Sequence, residues 1–104
     1  MVELNEAVAR IAERSDASVT ISLHGELDAA SSAAAHEVLD EALGPDVKEV
    51  VFEMGELTFM DSSGIATLIH AANRAGRVRL RNANDMIARI IEVTGLTEVL
   101  PIDP

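Results

Sequence analysis

The chain contains no cysteine, no tryptophan and no tyrosine, and its aromatic side chains are two phenylalanines, Phe52 and Phe59. Without cysteine there can be no disulfide and no thiolate metal site, which fits a reducing compartment. So few aromatic rings leave no stacking platform for single-stranded nucleic acid. Basic residues are also scarce: 8 against 18 acidic ones, a formal net charge of −10. Such a surface repels phosphate backbones, so the expected partner is a protein, one with a basic docking face, and not nucleic acid. No apolar run approaches the length of a membrane span. The opening "MVELNEAVAR" carries acids where a signal peptide needs a basic region. The expectation is a cytoplasmic protein with no direct membrane insertion.

What is present is ordinary globular composition, 48% apolar and 25% charged over 104 residues. That length suits one compact domain and is too short for two, so residues 1–104 are expected to form a single domain. "AVARIAER" (Ala7 to Arg14) is ambiguous in type and is read as the first strand of a hairpin. "VTISLHGEL" alternates cleanly, with Val19, Ile21 and Leu23 on one side and Thr20, Ser22 and His24 on the other. A helix is expected in "AASSAAAHEVLDEAL", ended by Gly44 and Pro45. "KEVVFEM" is a strand with Val50, Phe52 and Met54 on one face.

A helix over "SGIATLIHAANRA" follows, with Ile65, Leu68, Ile69 and Ala72 as its stripe and Gly76 as its stop. "RVRLR" alternates as a strand, "NDMIARIIEVTG" reads as a third helix, and "EVLPI" as a short final strand. Strands alternating with helices imply crossovers. The expected fold is α/β: a mixed, mostly parallel sheet of four to five strands. Three strands keep a polar side, unlike parallel strands covered on both faces. The helices are therefore expected mainly on one face, with Glu49 and Glu53 opposite Arg77, Arg79 and Arg81 on the other.

Chemistry-bearing residues are few. His24, His36 and His70 have no metal-ligand spacing, so no metal or cofactor is expected, and each reads as a surface or boundary residue. A triad of Ser62, His70 and Asp28 is conceivable, but "DSSG" is not a nucleophile elbow. No phosphate-binding glycine loop occurs, and a catalytic role is not expected.

The distinctive stretch is "TFMDSSGIATLI", where an extended run gives way to a helix. Asp61 or Ser62 can cap that helix by accepting from its free first-turn amides. Capping needs one such side chain, however, and three stand in a row before Gly64. A helix N-terminus also accommodates a phosphate, through unpaired N–H groups and a positive dipole end. Spacing alone favours the cap and leaves the phosphate reading open beside it.

"HGELD", "LTFMDSSGIATLI" and "VTGLTEVLPI", in that order from about Ala7 to Ile102, resemble the STAS domain. More narrowly they resemble bacterial anti-sigma factor antagonists. The resemblance implies a partner switch in which Ser62 is phosphorylated by a serine kinase that is itself the anti-sigma factor. The unmodified antagonist binds the kinase, the phosphorylated one is released, and a phosphatase resets it; ATP and magnesium belong to the kinase. Ser63 matches the second motif hydroxyl and Asp28 the family acid near the phosphorylation site. In this reading Asp61 and Ser63 shape the helix mouth, Gly64 allows close approach, and Met60 with Ile65 supplies apolar partner contact. Small STAS proteins also serve as structural subunits of membrane-associated lipid-transport ABC complexes, which is the alternative role. Ala66 stands where family members often have glycine.

Overall fold

The computed structural model describes residues 8–103; Ala7 and the residues before it lie outside that range, as does Pro104. Four strands form one sheet in the order β1-β2-β3-β4. Strand β1 (Ala9–Arg14) and strand β2 (Ser18–Leu27) make the hairpin that the ambiguous first segment was expected to form. Strand β3 (Glu49–Met60) lies parallel to β2, and β4 (Val78–Arg81) parallel to β3. The crossovers are helix α1 (Ser32–Ala42) and helix α2 (Ser62–Ala75). Helix α3 (Asp85–Val93) follows β4.

One hydrophobic core lies between the sheet and the helices. Ile21 and Leu23 of β2, Phe52 and Met54 of β3, and Leu80 of β4 are buried in it against Leu39 of α1, Leu68 of α2, and Ile87 and Ile91 of α3. Removing each such large side chain from water contributes roughly 1.5–3 kcal/mol, so this layer supplies most of the favourable free energy. On α2 the fully buried line runs through Gly64, Leu68, Ala71 and Ala75, with the expected stripe residues Ile65, Ile69 and Ala72 half-buried on its flank. Gly76 ends the helix in the left-handed region (φ 89°), its N–H donating to the Ala72 carbonyl. Glycine takes that conformation without the strain a Cβ would bring.

The far face of the sheet is polar, as its alternation implied. Arg77 approaches Glu49 at 3.6 Å and Arg81 approaches Glu53 at 3.3 Å. Arg79 turns mainly to Asp103, with Nη2 at 2.8 Å from the carboxylate. Glu53 also accepts from the Asn82 side-chain amide at 2.7 Å. That bond, with smaller help from the Gly55 amide and Arg81, holds the Glu53 carboxyl below its ordinary range against the opposing effect of burial.

One expected element is reduced. The segment "EVLPI" is not a regular strand: Ile102 makes a single parallel bridge to Leu80. Residues 96–100 turn instead, the Leu96 carbonyl accepting the Val99 and Leu100 amides, and Pro101 has no N–H for a ladder.

Because the Glu53 pKa is lowered on folding, its contribution is present above the ordinary carboxylate pKa and is lost as pH falls through the folded value. Glu53→Gln is expected to lose up to about 1 kcal/mol at pH 7. The deficit should vanish in acid, where both side chains are neutral. Urea unfolding at the two pH values measures it; a deficit independent of pH would assign the loss to packing rather than charge.

Candidate functional site

The motif singled out in the sequence sits where β3 ends and α2 begins. Leu27, the last residue of β2, pairs with Met60, the last residue of β3. One step later the Asp61 N–H donates to the Leu27 carbonyl at 3.3 Å. Asp28 and Asp61 therefore leave neighbouring parallel strands at the same end of the sheet.

Asp61 takes an extended conformation and caps α2. Its Oδ1 accepts the Ser63 amide at 2.8 Å and the Gly64 amide at 3.4 Å, and its carbonyl accepts the Ile65 amide at 3.1 Å. The capping role thus falls to Asp61 rather than Ser62. Ser62 is the first helical residue and is exposed; its hydroxyl makes no hydrogen bond among the described residues. The next serine is held more tightly. Its carbonyl accepts the Thr67 hydroxyl at 3.0 Å, and Thr67, fully buried, is met by His36 Nε2 of α1 at 3.0 Å.

Gly64 is the tightest point. A Cβ there would lie 2.7 Å from the Leu27 carbonyl oxygen and would collide with Met60 Cγ. The missing side chain lets the helix start rest directly on the strand ends. Ala66 is exposed, so its methyl group leaves that packing untouched.

Met60 departs from its expected role. It is only 1% exposed, lies beneath Gly64 and belongs to the core, so it is not a surface contact. Counting in twos from Val50 through Met54 reaches Met60 on the inward side, a signal available in the sequence but obscured by Leu57, which is also buried. The exposed apolar residue here is Phe59, 41% accessible and paired in register with Glu26. Ile65 is half-buried beside the core and keeps part of its surface at the helix mouth.

Asp28 does not bond to Ser62 or Ser63. Its carboxylate accepts the Ala30 amide at 3.0 Å and the Ser31 amide at 3.1 Å, forming the turn that leads into α1. His70 lies elsewhere, with Nε2 at 3.5 Å from Asp40 and its ring stacked on His36 at 4.7 Å between centroids. Asp28 and His70 of the conceivable triad thus engage separate partners, and neither bonds Ser62. His24 stays on the polar side of β2, its Nδ1 buried without a hydrogen-bond partner. Among the described residues no three metal-ligating side chains cluster, and no helix is long and apolar enough to cross a membrane.

The site presents the exposed Ser62 hydroxyl at the start of α2, next to the capping carboxylate of Asp61 and at the strand ends that also carry Asp28 and the exposed Phe59. Gly64→Ala tests the packing of that helix start. Alanine is the better helix former by roughly 0.5–1 kcal/mol, but overpacking against a fixed carbonyl costs about 1–3 kcal/mol. The substitution is expected to destabilise, read as a lower urea midpoint. A midpoint at or above wild type would show that the strand ends yield.

The family model described as "Mlab, STAS domain" matches residues 11–101. The anti-sigma-F factor antagonist RsfA of Mycobacterium tuberculosis is 30% identical over 107 residues, covering 97% of this chain and 84% of that protein. An anti-sigma factor antagonist structure from Mycobacterium paratuberculosis superposes with a TM-score of 0.80 at 20% identity, covering 92% of this chain and 84% of the other. The phosphorylated form of the Bacillus cell fate determinant SpoIIAA gives 0.71 at 21% identity, over 92% and 91% of the two chains. With a family model spanning nearly all of its described residues, this chain belongs to the STAS domain family.

Proposed function

We propose that this chain is an anti-sigma factor antagonist that binds a serine-kinase anti-sigma factor and is released when Ser62 is phosphorylated. The observation that carries this reading is the division of labour at the helix mouth. Asp61 does the capping and Gly64 does the packing; of the two serine side chains, neither of which is hydrogen-bonded among the described residues, Ser62 is the exposed one and Ser63 is half-buried. The named relatives of the chain are antagonists, one of them solved in a phosphorylated form.

In the transfer, the Ser62 oxygen bonds the γ-phosphorus of ATP, ADP leaves, and the hydroxyl proton passes to a base on the kinase. Nucleotide and magnesium sit on the kinase, and the antagonist contributes only the acceptor and its presentation. A phosphatase restores the hydroxyl. The modification adds about −1.5 to −2 charges.

Two effects then oppose each other within the folded chain. The helix end stabilises an anion by about 0.3–1 kcal/mol, up to ~2 where partly buried, while the half-buried carboxylate of Asp61 repels a phosphate of that charge by roughly 1.5–2 kcal/mol at about 4 Å in water. They offset each other in large part, so the fold is retained. Against a partner seated flush on the mouth, water no longer screens the phosphate from Asp61, Asp28 and Glu26. Desolvation and repulsion then cost several kcal/mol, and a loss of ~4 kcal/mol is roughly a thousandfold in affinity. Phe59 and Ile65, rather than Met60, supply the apolar contact.

The alternative, a structural subunit of a lipid-transport complex, would leave Ser62 unmodified. Incubation with ATP, magnesium and the candidate kinase, followed by peptide mass analysis, tests the proposal. Phosphate is expected on Ser62 and is lost in Ser62→Ala; transfer to neither Ser62 nor any other residue would overturn it. Ser62→Asp is expected to weaken the kinase complex at least tenfold with an unchanged circular dichroism spectrum.

A further inference from the structure

His36 and His70 are 34 positions apart and come from different helices, yet their rings stack at 4.7 Å with planes 20° apart. The contacts around them are consistent with hydrogen on Nε2 of each ring. Thr67 Oγ1 lies 3.0 Å from both the Ser63 carbonyl oxygen and His36 Nε2. With the hydroxyl donating to the Ser63 carbonyl, it accepts from His36, which then carries hydrogen on Nε2. The Asp40 carboxylate likewise accepts, so His70 Nε2 is protonated toward it. In both rings the remaining proton site is Nδ1, and filling it converts the ring to a cation.

The charges around the pair are uneven. Helix α1 supplies Asp40, and α2 supplies Arg74, whose Nη1 already holds Asp40 at 2.8 Å. The hydrogen bonds of His70 and Arg74 keep the Asp40 carboxyl below its ordinary range, so it stays anionic through the histidine range. Glu37 and Glu41, the other acids of α1, are exposed and make no ion pair among the described residues. The strands beneath these helices turn apolar Leu23, Phe52 and Leu80 toward the core and offer no charge there. His24 is a β2 residue on the polar side of the sheet. One carboxylate thus faces Arg74 and two stacked rings. It can offset one added proton; a second sets two imidazolium faces against each other beside a guanidinium.

We propose that the His36–His70 stack is a proton-responsive clamp between α1 and α2, in which His36 is a positioning residue for the first turn of α2 and hence for Ser62. The route is short: His36 Nε2 to the Thr67 hydroxyl, the Thr67 hydroxyl to the Ser63 carbonyl, and Ser63 next to Ser62. With at most one ring charged the clamp is closed. With both charged the rings separate, His36 is drawn off Thr67, and the first turn loosens. The consequence for phosphate transfer rests on the function proposed above; the clamp itself does not.

Solution NMR from about pH 5 to 8, the range in which histidine titrates, tests the clamp without any kinase. In the wild type the Ser63 and Gly64 amide signals should shift together with the ring signals of His36 and His70. In His36→Gln, whose amide can still donate to Thr67 but cannot take a proton, those amide signals should be flat over the range. Carboxylates titrate below it and do not confuse the reading. Amide signals that are flat in the wild type, or that move equally in His36→Gln, would overturn the proposal.

Phosphorylation rates give the second readout. Wild type should slow several-fold on acidification relative to His36→Gln, which should stay fast, while His36→Ala should be slow at every pH. If the amides respond as stated and no kinase modifies Ser62, the clamp stands and the proposed function fails. If Ser62 is modified at the same rate and pH dependence in wild type and both His36 variants, the clamp fails and the function stands.

Discussion

Helix α2 comes to rest on the ends of β2 and β3 with no room for a side chain at Gly64, and the rest of the site follows from that close approach. The Leu27 carbonyl lies under the glycine and accepts the Asp61 amide, so strand end, cap and helix start are tied at one point. Met60 is trapped below and completes the core. Asp61 has little choice but to turn its carboxylate onto the first-turn amides, and Ser62, one residue on, is left facing solvent. The exposure of the Ser62 hydroxyl, the proposed phosphate acceptor, follows from the same packing that fixes its position.

A rigid ledge of this kind suits a switch of binding better than a switch of fold. The interactions that hold the start of α2 are a backbone hydrogen bond, a carboxylate cap and van der Waals contact, and none passes through the Ser62 side chain. A phosphate added there meets a helix dipole and a carboxylate whose effects are similar in size and opposite in sign. Only an approaching surface removes the water that keeps those charges apart. The acidic character of the whole chain, −10 in formal charge, points the same way: repulsion is local and latent until a partner docks.

Much of this was legible in the sequence because period-2 and period-3.6 patterns are local. Val19, Ile21 and Leu23, or Val78 and Leu80, announce their strands and their inward face unaided. The polar sides of the same strands correctly placed the helices on one face of the sheet. The failures are of a different kind. Met60 was misassigned because Leu57 breaks the alternation midway along β3. The final segment met Leu80 at one position, since Pro101 cannot donate to a ladder. Asp28 found its partners two and three residues away, and Arg79 found Asp103; side-chain choices among several nearby donors leave no periodic trace. The stacking of His36 on His70 joins two helices through tertiary packing, and single helical positions beside an apolar stripe gave no sign of it.

The central claim is that phosphate on Ser62 leaves the fold intact and removes the partner. The most direct measurement takes stoichiometrically phosphorylated and unmodified protein, compares their thermal unfolding, and titrates each with the kinase by calorimetry. The expected result is a melting temperature changed by no more than a few degrees, equivalent to about 1 kcal/mol or less, with affinity lower by roughly a hundredfold or more, some 2.7 kcal/mol. Equal affinities, or a loss of affinity accompanied by melting of α2, would contradict it.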